Sequence, residues 1–525
     1  MSVQSKLDIK SKNIDTILVL DFGSQYTQLI ARRVREIGVF SVVKPSSLSV
    51  DKIIEMNPSG IILSGGPETV TISSSQKVDK SLLEANIPIL GICYGMQTIA
   101  NELSGSVVTS NVREFGHAKI SCVNQSVLFN NISFDSNKLD VWMSHGDKVD
   151  LLPENFEIIA SSKDCQIAGF QNEKLNIFGL QFHPEVTHTD QGKKILKNFI
   201  FEVCKCRKNW STSDIIDSMV NSVQDKVKDE KVLLGLSGGV DSSVVAMLLH
   251  KAIKNNLICI FVDHGLLRLG EVDEVMSTFE ALDIDIRLVD ASELFLSKLS
   301  GVTDPEQKRK IIGNTFIDVF EIEANKIKDV DWLAQGTIYP DVIESSSDDH
   351  NSSVIKSHHN VGGLPDRMNL KLLEPIRELF KDEVRKIGAE LNTPEHILLR
   401  HPFPGPGLGI RIMGDINKER IDILQKADKI FIDELKANNL YDSLSQAFVV
   451  YLPVKSVGVV GDERRYEDVL ALRAVETVDF MTANWAHLPY DFIGKVSNRI
   501  VNEISSISRV VYDCTGKPPA TIEWE

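Results

Sequence analysis

A cysteine bracketed by glycines, Gly91-Ile92-Cys93-Tyr94-Gly95, separates the apolar run Ile87 to Ile92 from the helix-like stretch Met96 to Ala100. Small residues on both sides of a nucleophile permit a sharp strand-to-helix turn, as in the serine elbow of hydrolases. Such a turn exposes the sulfur and aims a helix N-terminus at it, which favours the thiolate. The bracket alone is also compatible with an inert core cysteine, since free cysteine is commonly buried. The partner motif is Phe178-Gly179-Leu180-Gln181-Phe182-His183-Pro184-Glu185, a strand ending in His-Pro-Glu. A nucleophilic thiol needs a base that takes its proton and returns it to a leaving amine, and the base needs a carboxylate to fix its tautomer. His183 and Glu185, two apart at a strand end, can point the same way. Cys93, His183 and Glu185 together predict thiol-based acyl transfer.

A second loop, Leu236-Ser237-Gly238-Gly239-Val240-Asp241-Ser242-Ser243, joins an apolar run to a helical one. Two glycines and small hydroxyl residues let backbone N–H groups close around an oxyanion. Ser242 and Ser243 fall at a helix start, where dipole and hydroxyls favour phosphate. The pattern is not GxxxxGK[ST], so the phosphate-reaching lysine of that loop is missing. Taken alone, the segment also reads as a plain capped turn. Two basic stretches follow, one with Lys356 and the pair His358-His359, one with Lys381. No third ligand of suggestive spacing accompanies the histidines, and Cys204-Lys-Cys206 has no second pair, so no zinc site is read.

The elements that must carry these loops alternate. Ile17 to Leu20, Gly60 to Leu63 and Ile87 to Ile92 are short buried runs, and Leu29, Ile30, Val34 and Ile37 share one side of a helix. This rhythm predicts an α/β chain with two open, mostly parallel sheets flanked by helices. Residues 105–182 are richer in short β-like runs, and a polar stretch near 205–230 precedes a second α/β pattern. The polar segment 344–360 reads as a loop, and His401-Pro402-Phe403-Pro404-Gly405-Pro406-Gly407 opens a third segment. The expected division is a polar tail at 1–15, α/β domains at 16–208 and 209–400, and a smaller α+β domain at 401–525. The formal charge of −16 argues against nucleic-acid and anionic-membrane partners, so phosphate sites must be built locally. Seven scattered cysteines point to a reducing compartment. The polar opening MSVQSKLDIKSKNIDT lacks the apolar stretch of a signal peptide, and no run approaches 18 apolar residues, so the cytoplasm is expected.

The cysteine elbow and the His-Pro-Glu strand end resemble the class I glutamine amidotransferases over about residues 16–207. The resemblance implies Cys93 as nucleophile, His183 as base and Glu185 as its orienter. Ser64-Gly65-Gly66-Pro67 is similar to the oxyanion strand of that family, where Gly65 and Gly66 would face the developing charge. Tyr94, Gln97, Ser144 and His145 match positions that hold glutamine or its oxyanion. Ser237, Gly238, Gly239, Val240, Asp241, Ser242 and Ser243 resemble the PP-loop of ATP pyrophosphatases. That implies ATP cleavage between the α and β phosphates, Mg²⁺ with Asp241 as candidate ligand, adenosine near Val262 and Asp263, and phosphate contacts from Lys356 and Lys381.

Glu374 to Arg377, His401 to Gly409, Ser445 to Phe448, Leu472 to Glu476 and Lys517 to Glu525 resemble the GMP synthetases, with the three parts in the same order over nearly the whole chain. The resemblance implies a homodimer paired through the last segment. It also implies xanthosine monophosphate (XMP) held by Gln446, Arg509, Lys517, Ile522 and Glu523, and GMP made from XMP, ATP and glutamine. Arg509 and Glu523 are also readable as an interface ion pair. An NAD synthetase or a thiolating tRNA enzyme would use similar domains. The latter wants a sulfur-carrying cysteine and a basic surface, but Cys259 lies inside an apolar strand and the charge is acidic. A non-catalytic scaffold is disfavoured because Cys93, His183 and the loop residues are all present.

Overall fold

The computed structural model describes residues 14–525 apart from 73, 328, 340, 343–369, 461, 462, 478, 479 and 481. Lys356 and His358-His359 lie outside the described residues. The chain divides into two compact units between Ile215 and Ile216.

The first unit is built on a nine-stranded sheet. Its strands are β1 (Thr16–Asp21), β2 (Phe40–Pro45), β3 (Gly60–Leu63), β4 (Ile89–Ile92), β5 (Ser106–Cys122), β6 (Leu139–Leu151), β7 (Glu157–Ser162), β8 (Gly169–Asn172) and β9 (Ile177–Leu180). The order is β2-β1-β3-β4-β9-β8-β7-β5-β6. The half from β2 to β9 is parallel. The half from β9 to β6 is antiparallel and takes in the β-rich 105–182 region. Every residue of β3, β4 and β9 is buried, as expected of parallel strands covered on both faces. Helix α1 (Thr27–Ile37) buries Ile30, Ala31, Val34 and Ile37 and stops at Gly38, whose φ of 99° suits a left-handed cap. The adjacency β3-β4-β9 decides the chemistry, because it sets the carboxyl ends of three strands, and the loops that leave them, side by side.

The second unit has a five-stranded, wholly parallel sheet of β10 (Lys231–Leu236), β11 (Leu257–Asp263), β12 (Ile286–Asp290), β13 (Val330–Ala334) and β14 (Lys371–Leu373), in the order β12-β11-β10-β13-β14. The chain leaves β10 toward β11 and later returns to β10's other side with β13, so the end of β10 is a topological switch point, where open α/β sheets bind ligands. A second sheet pairs β15 (Gln446–Val460) with β16 (Glu463–Glu476), and β16 with β17 (Asn484–Trp485) and β18 (Ile507–Tyr512). One core joins Leu233, Ile260, Ile312 and Phe320 to Leu424, Phe431, Tyr451 and Leu472, so the segment after 401 packs on the parallel sheet through continuous hydrocarbon. Among the described residues no helix is long and apolar enough to cross a membrane.

Candidate active sites

Cys93 stands between β4 and the helix Tyr94–Glu102 with φ 52° and ψ −107°, a conformation that non-glycine residues rarely adopt. The elbow is tight enough to dictate its neighbours. A β-carbon at Gly91 would lie 2.6 Å from the Gly95 backbone, and one at Gly95 would lie 2.4 Å from the Leu63 carbonyl oxygen. The thiol donates toward the Ser144 carbonyl at 3.6 Å and accepts from Gln181 Nε2 at 3.6 Å. The buried His183 ring places Nδ1 2.7 Å from Glu185 Oε1 and lies close enough to the Cys93 sulfur for the two to interact electrostatically. Tyr26 packs edge-on against the ring at 5.1 Å, and Thr189 Oγ1 donates to the His183 carbonyl at 2.6 Å. Burial opposes a charged imidazole here, but the Glu185 carboxylate and the sulfur outweigh it and hold His183 well above the ordinary imidazole range. The three residues expected to act together do meet.

This arrangement carries a pH signature. The protonated imidazole is retained as pH rises through its ordinary range and is lost only as pH passes its raised value. Any thiol reaction that uses the protonated ring is therefore expected to lose kcat/KM, along an alkaline limb, as pH rises past that raised value. Glu185→Gln removes the principal raising influence, so the limb should move to lower pH in a pH–rate profile; an unmoved limb would show that the carboxylate does not hold this proton.

Ser64, Gly65 and Gly66 run beside the elbow. The Ser64 carbonyl accepts from the Gly95 N–H at 3.0 Å. A β-carbon on Gly65 would sit 3.3 Å from His183 Cε1, and one on Gly66 would sit 2.8 Å from the Phe22 carbonyl oxygen. Tyr94 turns its hydroxyl to the Gln76 carbonyl at 2.6 Å, so the hydroxyl is committed to the backbone and only the main chain of this residue is left to serve the elbow. Gln97 donates to the Asp147 carbonyl at 2.8 Å and to Gln181 Oε1 at 3.3 Å. The His145 ring lies between the Asp147 carbonyl at 3.0 Å and Glu114 Oε2 at 3.2 Å. Both side chains brace the 144–147 segment, and the Ser144 carbonyl is the group that reaches the thiol.

In the second unit the loop from Ser237 enters the helix Val240–Ile253, with Gly239 as N-cap. Gly238 has φ +70°. The Ser242 hydroxyl accepts from the Ser237 N–H at 3.2 Å, and the Ser243 hydroxyl donates to the Gly239 carbonyl at 2.7 Å. Lys381 forms an ion pair with Asp241 Oδ2, which brings that lysine to the loop. Asp241 Oδ1 is buried without a hydrogen-bond partner among the described residues, an acceptor suited to a cation. Val262 is 2% exposed and belongs to the core, so Asp263 is the residue that stands at the exposed strand end. Its carboxylate accepts from the Gly265 N–H at 2.8 Å.

Three residues here went unread in the sequence. Arg400 donates to the Gly238 carbonyl at 2.9 Å and pairs with the buried Glu271. At the end of β13, Gly336 passes so close that a β-carbon would lie 3.2 Å from the Ser242 nitrogen. Arg400→Ala would leave the Glu271 carboxylate buried without its cation. Urea denaturation is expected to show about 3 kcal/mol lost from the second unit's transition, and an unchanged midpoint would show that the clamp adds nothing.

Of the residues expected to bind XMP, the structure brings together Gln446, Ile522 and Glu523. Gln446 Nε2 donates to Glu523 Oε1 at 2.7 Å, and Arg411 grips the same carboxylate at 2.8 and 3.1 Å. Ile522 packs with Phe448 and Val450. The fully buried Arg473 donates to the carbonyls of Thr515 at 2.6 Å and Thr521 at 3.2 Å. Lys308 fixes the last residue, at 2.5 Å from Glu525 Oε2. Lys517 donates to the Phe480 carbonyl at 2.7 Å and pairs with Ala483, next to β17. Arg509 is set apart. It lies opposite Val469 and bonds Ser456, whereas Gln446 lies opposite Val475, six residues further along β16 and so roughly 20 Å away. Within the chain Glu523 is bonded to Arg411 and Arg509 to Ser456, so the two are not paired with each other.

Residues 18–203 match the family model described as glutamine amidotransferase class-I, 212–314 match NAD synthase, and 433–524 match GMP synthase C terminal domain. Proteins named glutamine-hydrolysing GMP synthase are similar over nearly their whole length. That of Teredinibacter turnerae is 60% identical over 517 residues, covering 97% of this chain and 98% of that one. Those of Marinobacter nauticus, at 60%, and Legionella pneumophila strain Lens, at 58%, cover the same shares. The chain belongs to the glutamine-hydrolysing GMP synthases. The middle match is to NAD synthase, the rival named above, and the C-terminal match resolves that choice for GMP synthase.

Proposed function

We propose that this GMP synthase assigns its two half-reactions to the residues described above. The observation that carries this reading is that the His183–Glu185 pair beside Cys93 and the loop at the switch point are both intact in a chain 97% of which is covered by a GMP synthase. In the first half-reaction the Cys93 thiolate attacks the side-chain amide carbon of glutamine. The N–H groups of Gly65, Gly66 and Tyr94 face the oxyanion, and protonated His183 delivers its proton to the departing ammonia. A water, deprotonated by His183, then hydrolyses the glutamyl thioester to glutamate. Gln97, Ser144 and His145 shape the glutamine pocket.

In the second half-reaction the 2-oxygen of XMP attacks the α-phosphorus of ATP, and the pyrophosphate departs into the loop from Ser237 to Ser243. Ammonia attacks the adenylylated carbon, AMP leaves, and GMP forms. Asp241 would hold Mg²⁺, which neutralises phosphate charge when bound. Lys381 and Lys356 supply further positive charge, and the adenosine docks near Val262 and Asp263. Gln446, Ile522, Glu523 and Lys517 form the XMP end of the site; Arg509, roughly 20 Å from Gln446 along the sheet, stands outside it within one chain. The chain works as a homodimer in the cytoplasm, where its seven free thiols suit a reducing medium. The test is a steady-state assay with purified protein, ATP, Mg²⁺, glutamine and XMP. Glutamate, AMP, pyrophosphate and GMP are expected in equal amounts, and glutamate release without GMP would refute the reading.

A further inference from the structure

Three side chains from separate parts of the first unit converge: Glu114 on β5, His145 on β6, and Cys165 in the turn after β7. Their ligating atoms all lie within 4.8 Å of one another, and His145 and Cys165 are buried. This is the one such group of three among the described residues.

The hydrogen bonds around His145 fix its chemistry. Nδ1 lies 3.0 Å from the Asp147 carbonyl, which can only accept, so Nδ1 carries the proton. In the neutral ring Nε2 then has a bare lone pair, and it faces Glu114 Oε2 at 3.2 Å. Two lone pairs at that distance require a positive charge between them or a proton on one of them. Two ligands of a tetrahedral zinc ion, each about 2.1 Å from it, are separated by about 3.4 Å. The observed spacing fits. A ring N–H bonded to a backbone carbonyl is also the usual support of a metal-ligating histidine.

The surroundings are arranged for the same purpose. Ser162 Oγ donates to the Glu114 carboxylate at 3.0 Å and accepts from the Cys165 N–H at 2.9 Å, tying two of the three ligands into one frame. The Cys165 thiol, pushed up to about 12 by burial and by the Glu114 carboxylate, stays protonated in the absence of a cation. Lys148 donates to the Asp164 carbonyl at 2.9 Å. A groove of about 590 Å³ lined by Glu114, His117, Lys119, Ser162 and Asp164 offers a path from solvent.

We propose that Glu114, His145 and Cys165 form a binding site for a divalent cation of the zinc class, with water as fourth ligand. Sulfur, imidazole and carboxylate donors together select zinc over magnesium or calcium. Binding displaces the Cys165 proton to solvent. Because His145 follows Ser144, whose carbonyl lies 3.6 Å from the Cys93 sulfur, an ion held here braces the segment that reaches the glutaminase site.

The test uses the full chain carrying Cys93→Ala, so that the catalytic thiol cannot serve as a ligand. Co²⁺ is titrated into chelator-treated protein. One equivalent is expected, with a thiolate-to-metal charge-transfer band, and Cys165→Ser should abolish the band and weaken binding about 100-fold. Should Cys165→Ser fail to fold, X-ray absorption of the zinc-loaded Cys93→Ala protein decides. One sulfur and three light ligands support the site; a sphere without sulfur overturns it, as would a band that persists in the Cys165→Ser protein.

Discussion

Cys93→Ala is expected to lower glutamine-driven GMP formation by at least about 10³-fold, while formation from added ammonium salts stays within about twofold of the parent. The size of the first effect follows from covalent chemistry: without the sulfur no thioester forms, and protonated His183 has no adduct to whose leaving amine it can deliver its proton. The second expectation follows from placement. Cys93 lies in the unit ending at Ile215, whereas the loop from Ser237 and the segment ending at Glu525 belong to the other. Alanine fits the elbow, since it removes one atom from a side chain that is 6% exposed and leaves Gly91 and Gly95 in place. Both rates are read as GMP formed per enzyme at saturating ATP and XMP. If ammonium failed as well, the two half-reactions would not be divided between the units.

The residues that reveal themselves in sequence are those whose requirement is local. The elbow is legible because Gly91 is demanded by the Gly95 and Met96 backbone within a few residues of Cys93, although Gly95 itself is demanded by Leu63 on the neighbouring strand. The PP-loop is legible for the same reason: its hydroxyls bond its own backbone. What sequence could not supply is register. Cys93 meets His183 because β4 lies beside β9, a pairing between strands some 88 residues apart that no periodicity reports. Gln181, which donates to the sulfur, differs from other strand glutamines only through that pairing. Arg400 and Gly336 reach the PP-loop from distant segments, and Arg411 and Arg473 hold the chain end through contacts about 40 to 110 residues apart. The Glu114, His145 and Cys165 group is hidden in the same way, because each ligand comes from a different element. The shared core after residue 401 is a further case. The proline-glycine break marks a change of chemistry, while the hydrocarbon on either side packs together.

Asp241→Ala is expected to lower both glutamine-driven and ammonium-driven GMP formation by at least about 10²-fold, since weakening the hold on the cation that neutralises a reacting phosphate removes electrostatic stabilisation of that order. The argument rests on the two carboxylate oxygens having different surroundings. Oδ2 is paired with Lys381, while Oδ1 is buried without a partner among the described residues. A carboxylate kept half satisfied at the start of a helix, beside a loop of inward hydroxyls, is costly unless a cation completes it. Loss of folding is not the expected cause. Asp241 contributes to helix stability mainly as an acid in the first turn, worth about 0.3–1 kcal/mol, and Gly239 and both serines stay in place. Asp241→Asn separates charge from shape: it keeps the volume and a bond to Lys381 but weakens cation binding. It should therefore resemble the alanine protein in turnover and show a raised Mg²⁺ requirement in pyrophosphate-release assays. Full activity of the asparagine protein at ordinary Mg²⁺ would remove Asp241 from the ATP site and leave its orphaned oxygen without a role in phosphate chemistry.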